Sequence, residues 1–156
     1  MLESVERVAT ARFNERLAFI EARFQLQTLY DKHPFDLSGG QQQLLAFAKL
    51  YCLDCPIVLL DEPTKGLDTY YKGLIQEIMQ QLRNEGTSII TVTHDLDFAA
   101  EVASHCTMLF QGKLTSILPM RQFFTSNEYY TTSTRRITAS ISNTITADEA
   151  VSILTT

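Results

Sequence analysis

Apolar residues return every three or four positions early in the chain. Phe13, Leu17, Ile20 and Phe24 fall on one helical face. This period predicts an amphipathic helix over residues 6–29, and Pro34 ends the region because proline pushes the residue before it out of helical geometry. A second stripe, Leu44, Leu45, Ala48 and Cys52, begins after Gly39-Gly40 and closes at Asp54 and Pro56. The pattern then changes. Ile57-Val58-Leu59-Leu60 is an unbroken apolar run between Pro56 and Pro63, the pattern of a fully buried strand in a parallel sheet. Leu74, Ile75, Ile78, Met79 and Leu82 restore the helical period, with Gly86 placed as a C-cap. Residues 88–93 (SIITVT) form a second, β-branched strand. A short helix over 96–103 follows. Met108-Leu109-Phe110 and residues 114–118 flank Gln111-Gly112 as a hairpin, and residues 120–124 make one more helix. A strand, a crossover helix and a second strand, after an all-helical start, predict an α/β chain with parallel pairing.

After Tyr130 the composition shifts. Nearly half of residues 131–156 are Ser or Thr, which predicts a loosely attached tail. Thr146-Ala147-Asp148-Glu149 has capping-box spacing ahead of Ala150, Val151, Ile153 and Leu154, so one short helix is expected there. The expected organisation is therefore a helical part over 1–52, an α/β part over 53–130 and a tail over 131–156.

The 156 residues suffice for one domain with a real core. A net charge of −5 argues against nucleic acid as a partner, since phosphate neutralisation needs clustered Lys and Arg. No apolar run approaches a membrane span, and the acid-bearing start MLESVERVATARF is not a secretory signal. Three cysteines do not make a disulfide framework, and a cytosolic location fits. Cys52-x-x-Cys55 with His105-Cys106 has the residue types of a zinc set, but Cys52 also fits the apolar stripe of its helix.

Candidate chemistry gathers at three places. The run Leu37-Ser38-Gly39-Gly40-Gln41 puts an N-cap serine and two glycines at a helix start. The first helical N–H groups have no internal partner, and glycines let a ligand approach them, so a phosphate site is one reading. A tight turn before an ordinary helix is the other. Asp61 and Glu62 end the first strand, at the sheet edge where α/β folds bind ligands. One carboxylate there can hold Mg²⁺ through water and the other can take a proton from an attacking water, or both can simply close the strand. His94 ends the second strand, where an imidazole can bond a terminal phosphate or serve structure alone.

Taken in order, LSGGQ at 37–41, IVLLDEP at 57–63, Gly66-Leu67-Asp68 and Thr93-His94-Asp95 resemble the ATP-binding-cassette (ABC) ATPases over residues 26–124. The resemblance implies an α/β, P-loop NTPase-like core with part of the helical subdomain in front. It implies that Ser38, Gly39, Gly40 and Gln41 are the signature motif, which caps the γ-phosphate of ATP held by the opposite subunit. Asp61 would be the Mg²⁺ residue, Glu62 the catalytic base, Asp68 the D-loop residue that communicates across the dimer, and His94 the switch histidine. ATP and Mg²⁺ are the implied cofactors. A second nucleotide-binding domain and integral membrane transporter subunits are the implied partners, at the cytoplasmic face of the membrane. His33-Pro34-Phe35, the run 64–68 and the late Tyr129-Tyr130-Thr131-Thr132 and Ile145 to Glu149 segments look more narrowly like energy-coupling-factor ATPases with two fused cassettes. Those power uptake of vitamins or transition-metal ions.

A complete cassette also carries G-x-x-x-x-G-K-[ST]. Here the glycines stand at 39, 40, 66, 73, 86 and 112, and no two are five apart. The expectation is thus the C-terminal part of a cassette with its Walker A half missing, weak ATP binding, and a strand 57–60 that lacks a partner on one side. Two other classes are a non-catalytic fragment that completes a partner's ATP site through Ser38 to Gln41, and a DNA-repair ATPase head. The acidic balance and the lack of coiled-coil arms count against the last. The Phe13 to Phe24 stripe is read as core packing, with a coupling-helix contact as the alternative.

Overall fold

The stripe that begins at Phe13 does most of its packing at its far end. In α1 (Leu2–Phe24), Ile20 and Phe24 are buried, whereas Phe13 stays 43% exposed. The computed structural model describes residues 2–126, 130–139 and 142–155, so Tyr129 of the late tail motif lies outside the described residues. Helix α1 stops before residue 29. Gln25 turns left-handed (φ 52°), and a 3₁₀ turn, Leu26–Leu29, carries Leu26 and Leu29 inward. After a second 3₁₀ turn, Pro34–Asp36, comes α2 (Gly39–Cys52), which buries Leu44, Phe47, Ala48, Tyr51 and Cys52. The strand β1 (Ile57–Asp61) leads to α3 (Thr69–Asn84), whose buried side is Leu74, Ile75, Ile78, Met79 and Leu82, the stripe expected from the sequence. Gly86 (φ +91°) lets the chain leave α3 and enter β2 (Ser88–Val92).

β1 and β2 pair in parallel, from Ile57 opposite Ser88 to Asp61 opposite Val92, with α3 as the crossover. The parallel pairing agrees with the sequence, but the full burial expected of 57–60 does not hold. Val58 is buried, while Ile57 is 62% and Leu59 73% exposed; across the ladder Ile90 and Val92 are 59% and 57% exposed. Side chains alternate across a strand, and only one face of this pair is covered. Among the described residues β2 is the only strand paired with β1, so the expected free edge is present.

A charged cluster closes the other end of α2 and α3. The Arg16 side chain is 5% exposed and contacts the Glu85 carboxylate, Asp54 at 3.0 Å and the Tyr51 carbonyl at 2.8 Å. Tyr51 also donates its phenol proton to Glu85. Burial first, then the bond to Glu85, pushes the Tyr51 phenol up to about 12. Burial alone would raise Glu85, but the bonds from Tyr51 and Gln81 and the Arg16 charge outweigh it and hold the carboxyl below its ordinary value. A depressed carboxylate contributes stability that is present above its unfolded value, 4.5, and is lost as pH falls through the folded one.

Residues 93–156 form a separate unit from 1–92. Asp95 caps α4 (Leu96–Val102). Two short antiparallel pairs follow: β3 (His105–Cys106) with β6 (Leu118–Pro119), and β4 (Leu109–Phe110) with β5 (Lys113–Leu114). Gln111 (φ 47°) and Gly112 (φ 74°) make the hairpin turn with the two positive φ values that a tight hairpin favours. Helices α5 (Met120–Ser126), α6 (Ser133–Thr138) and α7 (Ala147–Leu154) complete the unit.

The Ser/Thr-rich tail is not loosely attached. Ile145 is fully buried in a cluster with Ala100, Phe123 and Phe124. Thr132 donates to the Ile145 carbonyl at 2.6 Å, the Ser133 amide and hydroxyl bond Asp97, and Arg121 pairs with Glu149. Among the described residues of the tail, the buried Thr132 and Thr144 hydroxyls both have hydrogen-bond partners, which composition alone does not reveal. The Thr146–Glu149 capping box opens α7.

Two outcomes follow for the chain in solution. Arg16→Ala should cost about 2–4 kcal/mol near neutral pH, because it strands a partly buried carboxylate. In urea titrations the deficit should shrink as pH falls below 4.5. Ile145→Ala should destabilise by about 2–5 kcal/mol in thermal unfolding, whereas a detached tail would leave the transition unmoved.

Candidate functional site

The helix start at Ser38 is built from its own side chains. Ser38 accepts a hydrogen bond from the Gln41 amide at 3.3 Å, and the Gln41 side-chain oxygen accepts from the Ser38 amide at 3.0 Å. This capping box holds Ser38 extended (φ −61°, ψ 158°) and commits the third helical amide. The Gln42 amide bonds the Ser38 carbonyl at 2.9 Å as the first turn of the helix. The amides of Gly39 and Gly40 remain, and among the described residues neither has a partner. Ser38 and Gly39 are exposed, so these donors and the positive end of the helix dipole can receive an anion.

The three glutamines of the run divide the work. Gln41 closes the capping box. Gln42 reaches back to the carbonyls of Leu37 (3.1 Å) and Pro34 (3.3 Å), fixing the preceding loop, where the exposed Phe35 stacks on His33 at 5.3 Å. Gln43 donates to the Pro63 carbonyl at 3.0 Å, which ties the helix start to the residue directly after Glu62.

Asp61 stands exposed at the end of β1, level with Val92. Glu62 continues the ladder, its amide donating to the Val92 carbonyl at 2.8 Å, and then turns left-handed (φ 46°). A non-glycine residue in that region stores about 1–3 kcal/mol of strain, which the surrounding bonds must hold. The turn 62–68 is braced by Lys65 to Glu62 and Leu67 to Thr64 backbone bonds, with Gly66 at φ +73°. Asp68 caps α3 by accepting the Tyr71 amide at 2.9 Å. Ser38, Gly39, Gly40, Gln41, Asp61, Glu62 and Asp68 thus all belong to the first unit.

His94 belongs to the second unit and is exposed between Thr93 and Asp95. Thr93 accepts from the Asp95 amide at 3.0 Å and Asp95 accepts from the Phe98 amide at 3.0 Å, so the turn that carries the imidazole is fixed locally. Among the described residues no three potential metal ligands cluster, and Cys52 and Cys106 lie in different units. A Mg²⁺ ion at Asp61 would draw one carboxylate from this chain, in keeping with an ion that keeps water and phosphate oxygens as its other ligands.

The sequence did not single out Gln43 and Tyr71. Each acts through a partner distant in the chain, Pro63 and Gly40 respectively, so no local pattern marks them.

Comparison with known proteins adds to this geometry. The family model described as ABC transporter matches residues 2–65. An ABC transporter ATP-binding protein of Bacillus cereus is 44% identical over 114 residues, 73% of this chain and 21% of that protein. The histidine/lysine/arginine/ornithine transport ATP-binding protein HisP of Salmonella typhimurium is 45% identical over 83 residues, 53% of this chain and 32% of its own. The structure of cbiO1 from Clostridium perfringens, part of the ABC transporter complex cbiONQ, superposes with a TM-score of 0.63 at 25% identity, over 82% of this chain and 50% of that one. This chain therefore spans well under two thirds of each. The α/β fold is that of the P-loop NTPase-like ABC ATPase domains. With the glycine-lined helix start, the acidic strand end and the turn that follows held in one unit, the chain belongs to the family of ABC transporter ATP-binding proteins.

Proposed function

We propose that the chain supplies the signature side of an ATP site that powers a membrane importer. The observation that carries this reading is the open helix start, with the unpartnered amides of Gly39 and Gly40 beside the exposed Ser38. Two aimed N–H donors and a helix dipole suit a terminal phosphate. Ser38 Oγ accepts the Gln41 amide and keeps its own proton to donate to a phosphate oxygen. Gln41 holds that hydroxyl in place.

Asp61 offers the carboxylate for Mg²⁺, which when bound would neutralise charge on the β- and γ-phosphates. Glu62 takes the proton from the attacking water, and its backbone bond to Val92 fixes where the side chain starts. On the family resemblance, His94 supports the γ-phosphate and Asp68 communicates with a second nucleotide-binding domain. Asp68's capping bond to Tyr71 supports the second role by fixing the D-loop turn. The loop that cradles the remaining phosphates comes from outside these residues, since no two of the glycines are five positions apart.

In this reading the partners are a second nucleotide-binding domain and integral membrane transporter subunits, and no nucleic acid. The place is the cytoplasmic face of the membrane, held peripherally; among the described residues no helix is long and apolar enough to cross it. His33-Pro34-Phe35 before the signature and the likeness to cbiO1 support the energy-coupling-factor type, with vitamins or transition-metal ions as cargo. The glycine spacing favours a second reading, in which the chain is non-catalytic and completes a partner's site through Ser38 to Gln41. Mixing the chain with a cassette defective only in its signature tests what both share: hydrolysis should return, and silence contradicts both. Turnover lost in Glu62→Gln supports the first reading, and normal turnover in that variant supports the second.

In the assembled transporter, Glu62→Gln should abolish ATP turnover while ATP-dependent dimerisation persists; normal turnover would remove Glu62 from the mechanism. Titration calorimetry on these 156 residues alone should show ATP binding weaker than about 1 mM. Micromolar binding would contradict the dependence on an outside phosphate cradle.

A further inference from the structure

We propose that Tyr71 and Gln43 are positioning residues that fix the first turn of α2 against the acidic strand end, and that position 40 is glycine because the Tyr71 ring occupies its side-chain space. This rests on the reading that the start of α2 takes a nucleotide phosphate. The two glycines of the signature are not equivalent. A Cβ on Gly39 would meet nothing within 4 Å, whereas one on Gly40 would stand 2.5 Å from Cδ2, 2.7 Å from Cε2 and 2.8 Å from Cγ of Tyr71. Because Cγ is the root of the ring, swinging its tip does not relieve the clash. Either the side chain takes a new rotamer or α3 moves.

Tyr71 is itself held in place. Its amide bonds the Asp68 carboxylate at 2.9 Å, and its ring meets Tyr70 edge-on at 5.4 Å. Gln43 supplies the second tie, from its amide nitrogen to the Pro63 carbonyl at 3.0 Å. Residues 40 and 43 are three apart, so both ties fall on one face of α2. One reaches the D-loop turn and the other the residue after Glu62. The unpartnered Gly39 and Gly40 amides are thus aimed by a two-point clamp. Donors of this kind act only within a few tenths of an ångström of their target, and a shift of about 1 Å costs on the order of 100-fold in rate.

The test is a cycle of Gly40→Ala, Tyr71→Ala and the double variant, with Tyr71→Phe, Gln43→Met and Gly39→Ala alongside. Turnover is read as kcat and KM for ATP in the assembled transporter, and thermal unfolding is read on the chain. Gly40→Ala should lower kcat by about 10- to 100-fold and lower Tm. Removing the ring should make room for the methyl, so the double variant should recover to the level of Tyr71→Ala in both readouts. Tyr71→Phe keeps the ring and should match the parent. Gln43→Met should lower kcat several-fold with KM for ATP little changed.

A double variant no better than Gly40→Ala, or Tyr71→Phe as damaged as Tyr71→Ala, would overturn the clamp. Should Gly40→Ala fail to fold, a folded double variant still supports it and an unfolded one refutes it. If Gly39→Ala and Gly40→Ala both leave turnover unchanged, the phosphate reading falls instead, while the unfolding cycle still decides whether ring and glycine interlock.

Discussion

Two backbone amides with no partner among the described residues, at the start of one helix, are the feature on which the rest of this structure depends. Gly39 and Gly40 leave them bare, and the Ser38–Gln41 capping box keeps the turn open without consuming them. A helix start left this way is an incomplete hydrogen-bonding system. Water can satisfy it, but an oxyanion satisfies both donors and the dipole together. The surrounding bonds hold the geometry before any ligand arrives: Gln42 to the preceding loop, Gln43 to Pro63 and Gly40 against Tyr71. Preorganised donors of this kind need little rearrangement when charge develops near them.

The acidic residues rely on a different constraint. Parallel pairing brings Asp61 level with Val92, and the Glu62 amide takes the Val92 carbonyl as its acceptor. Glu62 then adopts a left-handed backbone that a longer strand would not allow, and the braced turn 62–68 carries the chain to Asp68 and α3. The strained residue lies between a ladder bond and a turn bond, which is where such strain can persist. At the opposite end of the helices, Arg16 neutralises Glu85 and Asp54. That pairing secures α1 to the ends of α2 and α3, so the helix bearing the open amides has a fixed frame.

Much of this was legible in the sequence because it rests on local pattern. The stripe of α3, the hairpin at Gln111-Gly112 and the capping box at Thr146 all came from residues a few positions apart. The ordered set of LSGGQ, IVLLDEP and Thr93-His94-Asp95 gave the family. What the sequence missed depends on distance in the chain. The apolar run 57–60 does not say how many faces are covered, and Ile57 and Leu59 are open. In the tail, Ser and Thr read as solvent-facing, yet Thr132 and Thr144 are buried. Gly40 carries a second reason for being glycine, in the ring of Tyr71 on the next helix.

The most direct test follows the Gly39 and Gly40 amides themselves by ¹H–¹⁵N NMR. The chain would be titrated with a partner cassette that is loaded with ATP and Mg²⁺ but defective in its own signature. Selective movement of these two amide signals on adding the loaded partner, and none with the nucleotide-free partner, is the predicted result. Unmoved Gly39 and Gly40 signals in a complex that demonstrably forms would contradict the account.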